Sequence, residues 1–312
     1  MPLVVITGPT AVGKSALALA LAEEIDAEII SADSRQIYRF MDIGTAKPTL
    51  EERRRVPHHL VDFVDPGHVY SVAEFQDDAE RALAEVERRG KVALLVGGSV
   101  HYLQAVVDRL EVPRVPPQPD LRRELETFAA TYGAEALHRR LQECDPAAAA
   151  AIPASNVRRV VRALEVFLVT GQPFSQVGRR RRESRPALLL ALTADRSELY
   201  ARIDRRVDDM IARGWLDEVQ RLLDMGYSLT LPSMTSSGYR ELAAHLRGEL
   251  SLVEAVARTK FSTHAFARRQ YVWLRKDPRL EWFSIGPQLF DHVRRRVEAY
   301  LRERRGDERR SA

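Results

Sequence analysis

Gly8-Pro9-Thr10-Ala11-Val12-Gly13-Lys14-Ser15 follows directly on the apolar run Leu3 to Thr7 and fits the pattern G-x-x-x-x-G-K-[ST]. The run ahead of it reads as a buried parallel strand. Leu17, Leu21 and Ile25, spaced i, i+4 and i+8, read as a helix behind it. Each part of this arrangement has a physical purpose. Gly8 and Gly13 let the backbone curl until its N–H groups converge on phosphate oxygens. Lys14 adds mobile positive charge, the helix N-terminus adds its dipole, and the Ser15 hydroxyl suits Mg²⁺. The stretch predicts a site for a ligand with two or more phosphates, most naturally ATP, and leaves open what is done to it.

Working outward, Glu28 to Asp33 reads as a second short strand that ends in a carboxylate, and Lys91 to Val96 as a third. Ser34 to Pro66 reads as one irregular stretch, long enough to expect a function for it. Helices are predicted at Ser71–Arg89 and Val100–Arg109. Strands alternating with helices argue an α/β fold on a parallel sheet, with ligands at the carboxyl ends of the strands. Pro113, Pro116, Pro117 and Pro119 break the pattern, and everything from Asp120 to about Thr170 then reads helical. A polar run, Ser175 to Arg185 with Arg179 to Arg182 inside it, leads to Pro186 and a returning strand at 187–192. The expected organisation is a core begun by 1–112, a helical, Arg-rich insertion at 113–186, and a core completed by 187–312 with C-terminal helices.

Composition bounds the class. The 312 residues are 45% apolar and 29% charged, as in ordinary globular chains. No apolar run approaches the roughly 18 residues of a membrane span, and no export segment precedes Gly8, so the expectation is a cytoplasmic protein without a membrane partner. A single cysteine, Cys144, excludes an intramolecular disulfide and a cysteine zinc cluster. The net charge of +4 is local: residues 111–186 hold 13 arginines against 9 acids, and the rest of the chain balances at 35 basic and 35 acidic. Arginine at such density suits a phosphate backbone or forms a solvated helical face.

Asp33, at the end of the strand read as lying beside the phosphate loop, faces the ligand crevice. It can hold Mg²⁺ through water, accept a proton as general base, or cap a turn. The third strand ends in Gly97-Gly98-Ser99 where an ATPase usually carries an acid, and the two glycines suit close approach by a ligand. Nothing nearby is poised to activate water, which argues against a hydrolase. Arg202 and Arg206 share a helix face with Asp209 nearby, fit either to meet phosphate or to lie in solvent. His58 and His59 are neighbours that point apart, so they read as structural rather than as a metal pair. Arg269 and Trp273 share another helix face suited to stacking and phosphate contact, or to a core Trp flanked by solvated arginines.

Seven ordered stretches resemble the tRNA dimethylallyltransferase family and cover nearly the whole chain. They are Gly8 to Ser15, Ser31-Ala32-Asp33-Ser34-Arg35-Gln36-Ile37-Tyr38, Met41-Asp42-Ile43-Gly44-Thr45-Ala46-Lys47-Pro48, Leu94 to Ser99, Arg162-Ala163-Leu164-Glu165-Val166, Gly238-Tyr239-Arg240-Glu241, and Arg269-Gln270-Tyr271-Val272-Trp273. The resemblance implies a P-loop NTPase-like parallel sheet core with a helical insertion that grips the tRNA anticodon arm. It implies that Gly8, Pro9, Thr10, Ala11, Val12, Gly13, Lys14 and Ser15 hold the diphosphate of dimethylallyl diphosphate as a leaving group, with Mg²⁺ on Ser15. It implies Asp33, Ser99 and Arg206 as catalytic residues, Asp33 acting as base on the N6 amine of the adenosine 3′ to the anticodon. Asp33, Ser34, Arg35, Gln36, Ser99, Arg122, Arg158, Arg159 and Arg162 are the implied tRNA contacts, in a protein expected to be a monomer.

The chain departs from the family pattern at Ser99, where threonine is usual, at Arg158 for glutamine, and at His264 for arginine. Met234 to Ser237 is also more polar than usual. None of these removes a proposed catalytic group. Two rival readings are a P-loop kinase of nucleotides or small metabolites, and a nucleotide-dependent RNA-binding module without chemistry.

Overall fold

The structure, a computed structural model, describes residues 2–177 and 184–311, with side chains up to residue 304. Arg179 to Arg182 of the polar run lie outside the described residues. Two compact units form: Met1–Tyr70, Phe75–Leu103 and Pro186–Ala312 make the first, and Ser71–Glu74 with Gln104–Arg185 make the second.

In the first unit, β1 (Leu3–Thr7), α1 (Lys14–Glu24) and β2 (Ala27–Ser31) follow one another as the hydrophobic pattern predicts. The stretch read as irregular contains a short helix, α2 (Leu50–Arg55), and a two-residue strand, β3 (His58–His59). Thr49 and Glu52 cap α2 reciprocally. Next come α3 (Val72–Arg88), β4 (Val92–Val96) and α4 (Val100–Val107). The six-stranded sheet runs in the order β3-β2-β4-β1-β5-β6 with every pairing parallel. The last two strands are β5 (Ala187–Thr193) and β6 (Glu281–Ser284). β1, β2 and β4 are buried at every position, so they show no apolar–polar alternation, and in β2 the burial includes the Glu28 carboxylate. Val4 sits opposite both Leu94 and Leu188, which registers the carboxyl ends of three strands on one edge. This is the P-loop NTPase-like fold.

The second unit is helical: α5 (Pro119–Tyr132), α6 (Ala134–Cys144), α7 (Pro146–Ala151), α8 (Val157–Thr170) and α9 (Phe174–Val177). Leu125, Leu137, Leu141, Val160, Val161 and Leu164 form its core. Asp145 caps α7 through the Ala148 N–H at 3.0 Å and also accepts the Ser175 hydroxyl at 2.7 Å, pinning α9. The compact unit opens at Gln104, ahead of the proline cluster. The reason is local: the Arg185 N–H donates to the Val107 carbonyl at 2.7 Å, tying its two ends together there.

The chain completes the first unit with α10 (Arg196–Ala212), α11 (Trp215–Asp224), α12 (Tyr239–Leu246), α13 (Leu252–Leu274) and α14 (Leu289–Ser311). Trp215 and Tyr239 are fully buried in a second core cluster with Ile37, Met41 and Leu242. A Cβ on Gly238, whose φ is +94°, would lie 1.9 Å from the Trp215 ring, so only glycine admits the indole there. This cluster holds the Asp42–Pro48 stretch. Buried Glu218 accepts the N–H groups of Asp42, Ile43 and Gly44 at 2.8, 2.7 and 3.1 Å, and the Tyr239 hydroxyl at 2.7 Å. Buried Lys47 closes the same loop onto the Tyr38 carbonyl, Asp42 and Asp62.

Candidate active site

The phosphate loop leaves β1 at Gly8, whose φ is +143° and whose Cβ would fall 2.7 Å from the Leu192 carbonyl oxygen. Only glycine lets the loop pass so close to β5. Gly13, left-handed, opens α1. Of the eight loop residues, Thr10, Lys14 and Ser15 line a cavity of about 500 Å³. Ala11 and Gly13 join Lys14 and Ser15 in a second recess of about 410 Å³. Gly8, Pro9 and Val12 are buried behind the loop and line neither, so they shape it from within.

Lys14 Nζ donates to the Pro9 carbonyl at 2.8 Å. Removal from water draws its pKa down to about 8; the Asp33 carboxylate opposes that shift and the Arg206 guanidinium adds to it. Arg206 is likewise lowered by burial, with Asp33 opposing. The three charges therefore share one local field.

Asp33 lies two residues past the end of β2, and β4 separates β2 from β1, so its strand is not the immediate neighbour of the phosphate-loop strand. The carboxylate still reaches the same cavity. Its Oδ1 accepts the Arg35 N–H at 2.8 Å, which fixes the side chain in a tight turn. Ser99 Oγ accepts the Ser34 N–H at 3.1 Å, so the turn after β4 braces the turn that carries Asp33. The close approaches expected of a ligand at Gly97 and Gly98 belong to the protein itself. A Cβ on Gly97 would lie 2.1 Å from the Ala32 carbonyl oxygen, and one on Gly98 would lie 2.3 Å from Gln270 Nε2.

The cavity lining mixes polar and apolar groups. Buried Ala18, Leu19, Ile29 and Val96 supply its apolar part, and Arg240, Arg269, Ser236 and Phe266 also line it. Arg202 and Arg206 do share one face of α10, and together with Arg205 they line the second recess. For a metal, the chain offers the Ser15 hydroxyl and the Asp33 carboxylate. Among the described residues no three His, Cys, Asp or Glu side chains gather as a metal site. That sparse donor set fits Mg²⁺, which keeps several waters and binds largely through substrate phosphates. His58 and His59 point apart as consecutive strand residues: His58 Nδ1 contacts the Val56 carbonyl at 2.8 Å, and His59 Nε2 contacts buried Glu28 at 2.7 Å.

The predicted nucleic-acid contacts fall into two groups. Asp33, Ser34, Arg35, Gln36 and Ser99 line the cavity. Within it, Gln36 holds the Ala46 carbonyl at 3.0 Å and the Ser31 hydroxyl at 3.1 Å, and Arg35 donates to the Pro232 carbonyl. In the second unit, Arg158 and Arg159 stand exposed on α8. Arg122 and Arg162 are instead drawn onto Glu165. Arg122 grips it with two hydrogen bonds of 2.8 Å, and Arg162 adds one of 2.5 Å.

Sequence reasoning missed Gln270, Arg240 and Ser236 as site residues. They come from α12, α13 and the segment before them, more than 130 residues from Ser99. Only the short stretches Gly238 to Glu241 and Arg269 to Trp273 marked Arg240 and Gln270, and Ser236 stood out only as part of the polar departure Met234 to Ser237.

Comparison with known proteins finds relatives along nearly the whole chain. The family model described as IPP transferase matches residues 36–277. A tRNA dimethylallyltransferase of Thermomicrobium roseum is 51% identical over 303 residues, covering 97% of this chain and 92% of the relative. One of Roseiflexus sp. is 53% identical over 278 residues, covering 89% and 91%. Among solved structures, the full-length tRNA isopentenylpyrophosphate transferase of Bacillus halodurans is 39% identical, with a TM-score of 0.73 and 99% of each chain covered. A eukaryotic dimethylallyltransferase acting on tRNA is 28% identical, with a TM-score of 0.77, covering 91% of this chain and 74% of that one. Matched by the family model over most of its length and by relatives about half identical to it, this chain belongs to the IPP transferase family.

Proposed function

We propose that the protein transfers a dimethylallyl group from dimethylallyl diphosphate to the N6 amine of the adenosine 3′-adjacent to the anticodon in tRNA, releasing diphosphate. One observation carries the reading: a single cavity brings Lys14, Ser15 and Arg206 together with the Asp33 carboxylate and with buried apolar side chains. Cations and a helix N-terminus suit the diphosphate, the apolar side chains suit a five-carbon hydrocarbon, and the carboxylate suits an amine proton.

In this reading the N6 nitrogen attacks the allylic carbon as the carbon–oxygen bond to diphosphate breaks. The amine proton passes to Asp33. Negative charge grows on the departing oxygen, where Lys14 and Arg206 stabilise it more in the transition state than in the ground state. Ser15 would hold Mg²⁺, which when bound neutralises part of the diphosphate charge. Ser99 keeps Asp33 in place through the Ser34 N–H. The target base must leave its stack to reach the cavity. The exposed Arg158 and Arg159 suit contact with the anticodon arm, as does the half-buried pair Arg122 and Arg162. A reaction on tRNA suits a cytoplasmic protein, and one chain holds every group used, which suits a monomer. Among the described residues no helix is long and apolar enough to cross a membrane.

The test offers the protein both donors. Label should pass from dimethylallyl diphosphate to tRNA with adenosine at the target position. Phosphoryl transfer from ATP without prenylation would reverse the assignment in favour of a kinase.

Lys14 gives a pH prediction. Its depressed pKa of about 8 means that the ammonium form dominates below that value and is lost above it. A bound diphosphate favours the ammonium. Donor affinity should therefore be flat up to about pH 7.5 and fall as pH rises beyond 8, approaching a tenfold loss per unit. Titration of donor binding between pH 6.5 and 9.5 measures this, and Lys14→Met should bind weakly with no such slope.

A further inference from the structure

We infer that Gln270 is a positioning residue that sets the distance between the diphosphate and the base. This rests on the phosphate loop holding diphosphate, as proposed above. Gln270 lies on α13, is 6% exposed, and bridges two turns that no local sequence signal connects to it. Its Oε1 accepts the Thr10 N–H at 2.8 Å, and its Nε2 donates to the Gly98 carbonyl at 3.1 Å. A backbone N–H can only donate and a carbonyl can only accept, so the two partners fix the amide in one orientation.

The bridge begins where the sheet stops. β1 and β4 are paired as far as Ile6 and Val96. The Gly97 N–H to Ile6 bond of 3.1 Å and the Thr7 hydroxyl to Gly97 bond of 2.8 Å carry the contact one step further. Beyond that, the loop after β1 and the turn after β4 are held together by the Gln270 amide. Gly98 is shaped to receive it, since a Cβ there would lie 2.3 Å from Nε2. From Gly98 the contact continues through Ser99 Oγ to the Ser34 N–H, next to Asp33. One side chain thus links the loop that carries Lys14 to the turn that carries the carboxylate. A misplacement of about 1 Å between reacting groups can cost on the order of 100-fold in rate.

Gln270→Ala should lower kcat at saturating donor by about 10- to 100-fold, counted per active site, and leave affinity for an anticodon stem-loop within about twofold. Affinity for inorganic diphosphate with Mg²⁺, read by calorimetry, should fall by about tenfold. Gly98→Ala alone should be damaging, and in the Gln270→Ala background it should add no more than about twofold, because the clash has gone. A merely structural role would lower the melting temperature and the active fraction while leaving kcat per active site unchanged, and that result would overturn the inference. So would equal diphosphate binding by variant and parent. The diphosphate measurement does not depend on which group is transferred, so it is separable from failure of the prenyl-transfer reading. Should Gln270→Ala not fold, the isosteric Gln270→Glu sets a carboxylate oxygen against the Gly98 carbonyl and carries the same expectation for kcat. Parental kcat in that variant would equally overturn the proposal.

Discussion

Asp33→Asn is expected to lower kcat by about 10²- to 10⁴-fold while affinities for donor and tRNA stay within about threefold. The substitution is the sharpest available because it separates two things the carboxylate does. Asparagine keeps an oxygen for the Arg35 N–H, so the turn that Asp33 holds at 2.8 Å survives. It loses the charge that faces Lys14 and Arg206 and the capacity to accept a proton. Single-turnover transfer of label from dimethylallyl diphosphate, with both substrates saturating, reads the chemical step alone. A kcat within threefold of the parent would remove Asp33 from the role of base and leave it as a turn residue.

Glu165→Ala is expected to have the largest effect on stability, about 3 kcal/mol, confined to the second unit. Glu165 is 0% exposed and accepts four donors: two from Arg122, one from Arg162 and the Gln118 N–H at 2.7 Å. Burial alone would raise its pKa. The bonds from Arg122, the Gln118 N–H and Arg162 outweigh that and hold it below its usual 4.5. A carboxylate depressed in this way contributes its full stability above about pH 4.5, and the contribution drains away as pH falls below that. Both arginines keep some access to water, which puts the cost at the low end of the range for breaking a buried pair. Urea unfolding of the variant at pH 7 measures the loss. The parent's advantage over Glu165→Ala should shrink steadily as pH is lowered below 4.5.

Much of this architecture is legible in the chain because its signals are local. β1, β4 and β5 are almost wholly apolar runs and β2 is a shorter one broken by Glu28, and the phosphate loop, Asp33 and Ser99 each follow one of these strands. β3 is not legible: two histidines have no hydrophobic pattern, and only pairing with Ile29 and Ile30 makes them a strand. The strand order is hidden as well, so Asp33 reads as adjacent to the phosphate-loop strand although β4 lies between. Gly97 and Gly98 have the right signature for close approach, but sequence cannot say that the approaching groups are Ala32 and Gln270. Arg122 and Arg162 show the same limit. An arginine-rich helix looks ready for a phosphate backbone, and only the fold reveals that Glu165 already holds two of them.

The Glu218 contact decides which backbone amides near the cavity are free to meet an anion. Three consecutive amides, Asp42 to Gly44, converge on one point as they would around a phosphate, and Gly44 borders the cavity. A carboxylate supplied by α11 permanently fills that second cradle. An anion in the cavity therefore finds these three amides already satisfied by the protein's own side chain, and the phosphate loop, not the Asp42–Gly44 turn, is the backbone that can receive it.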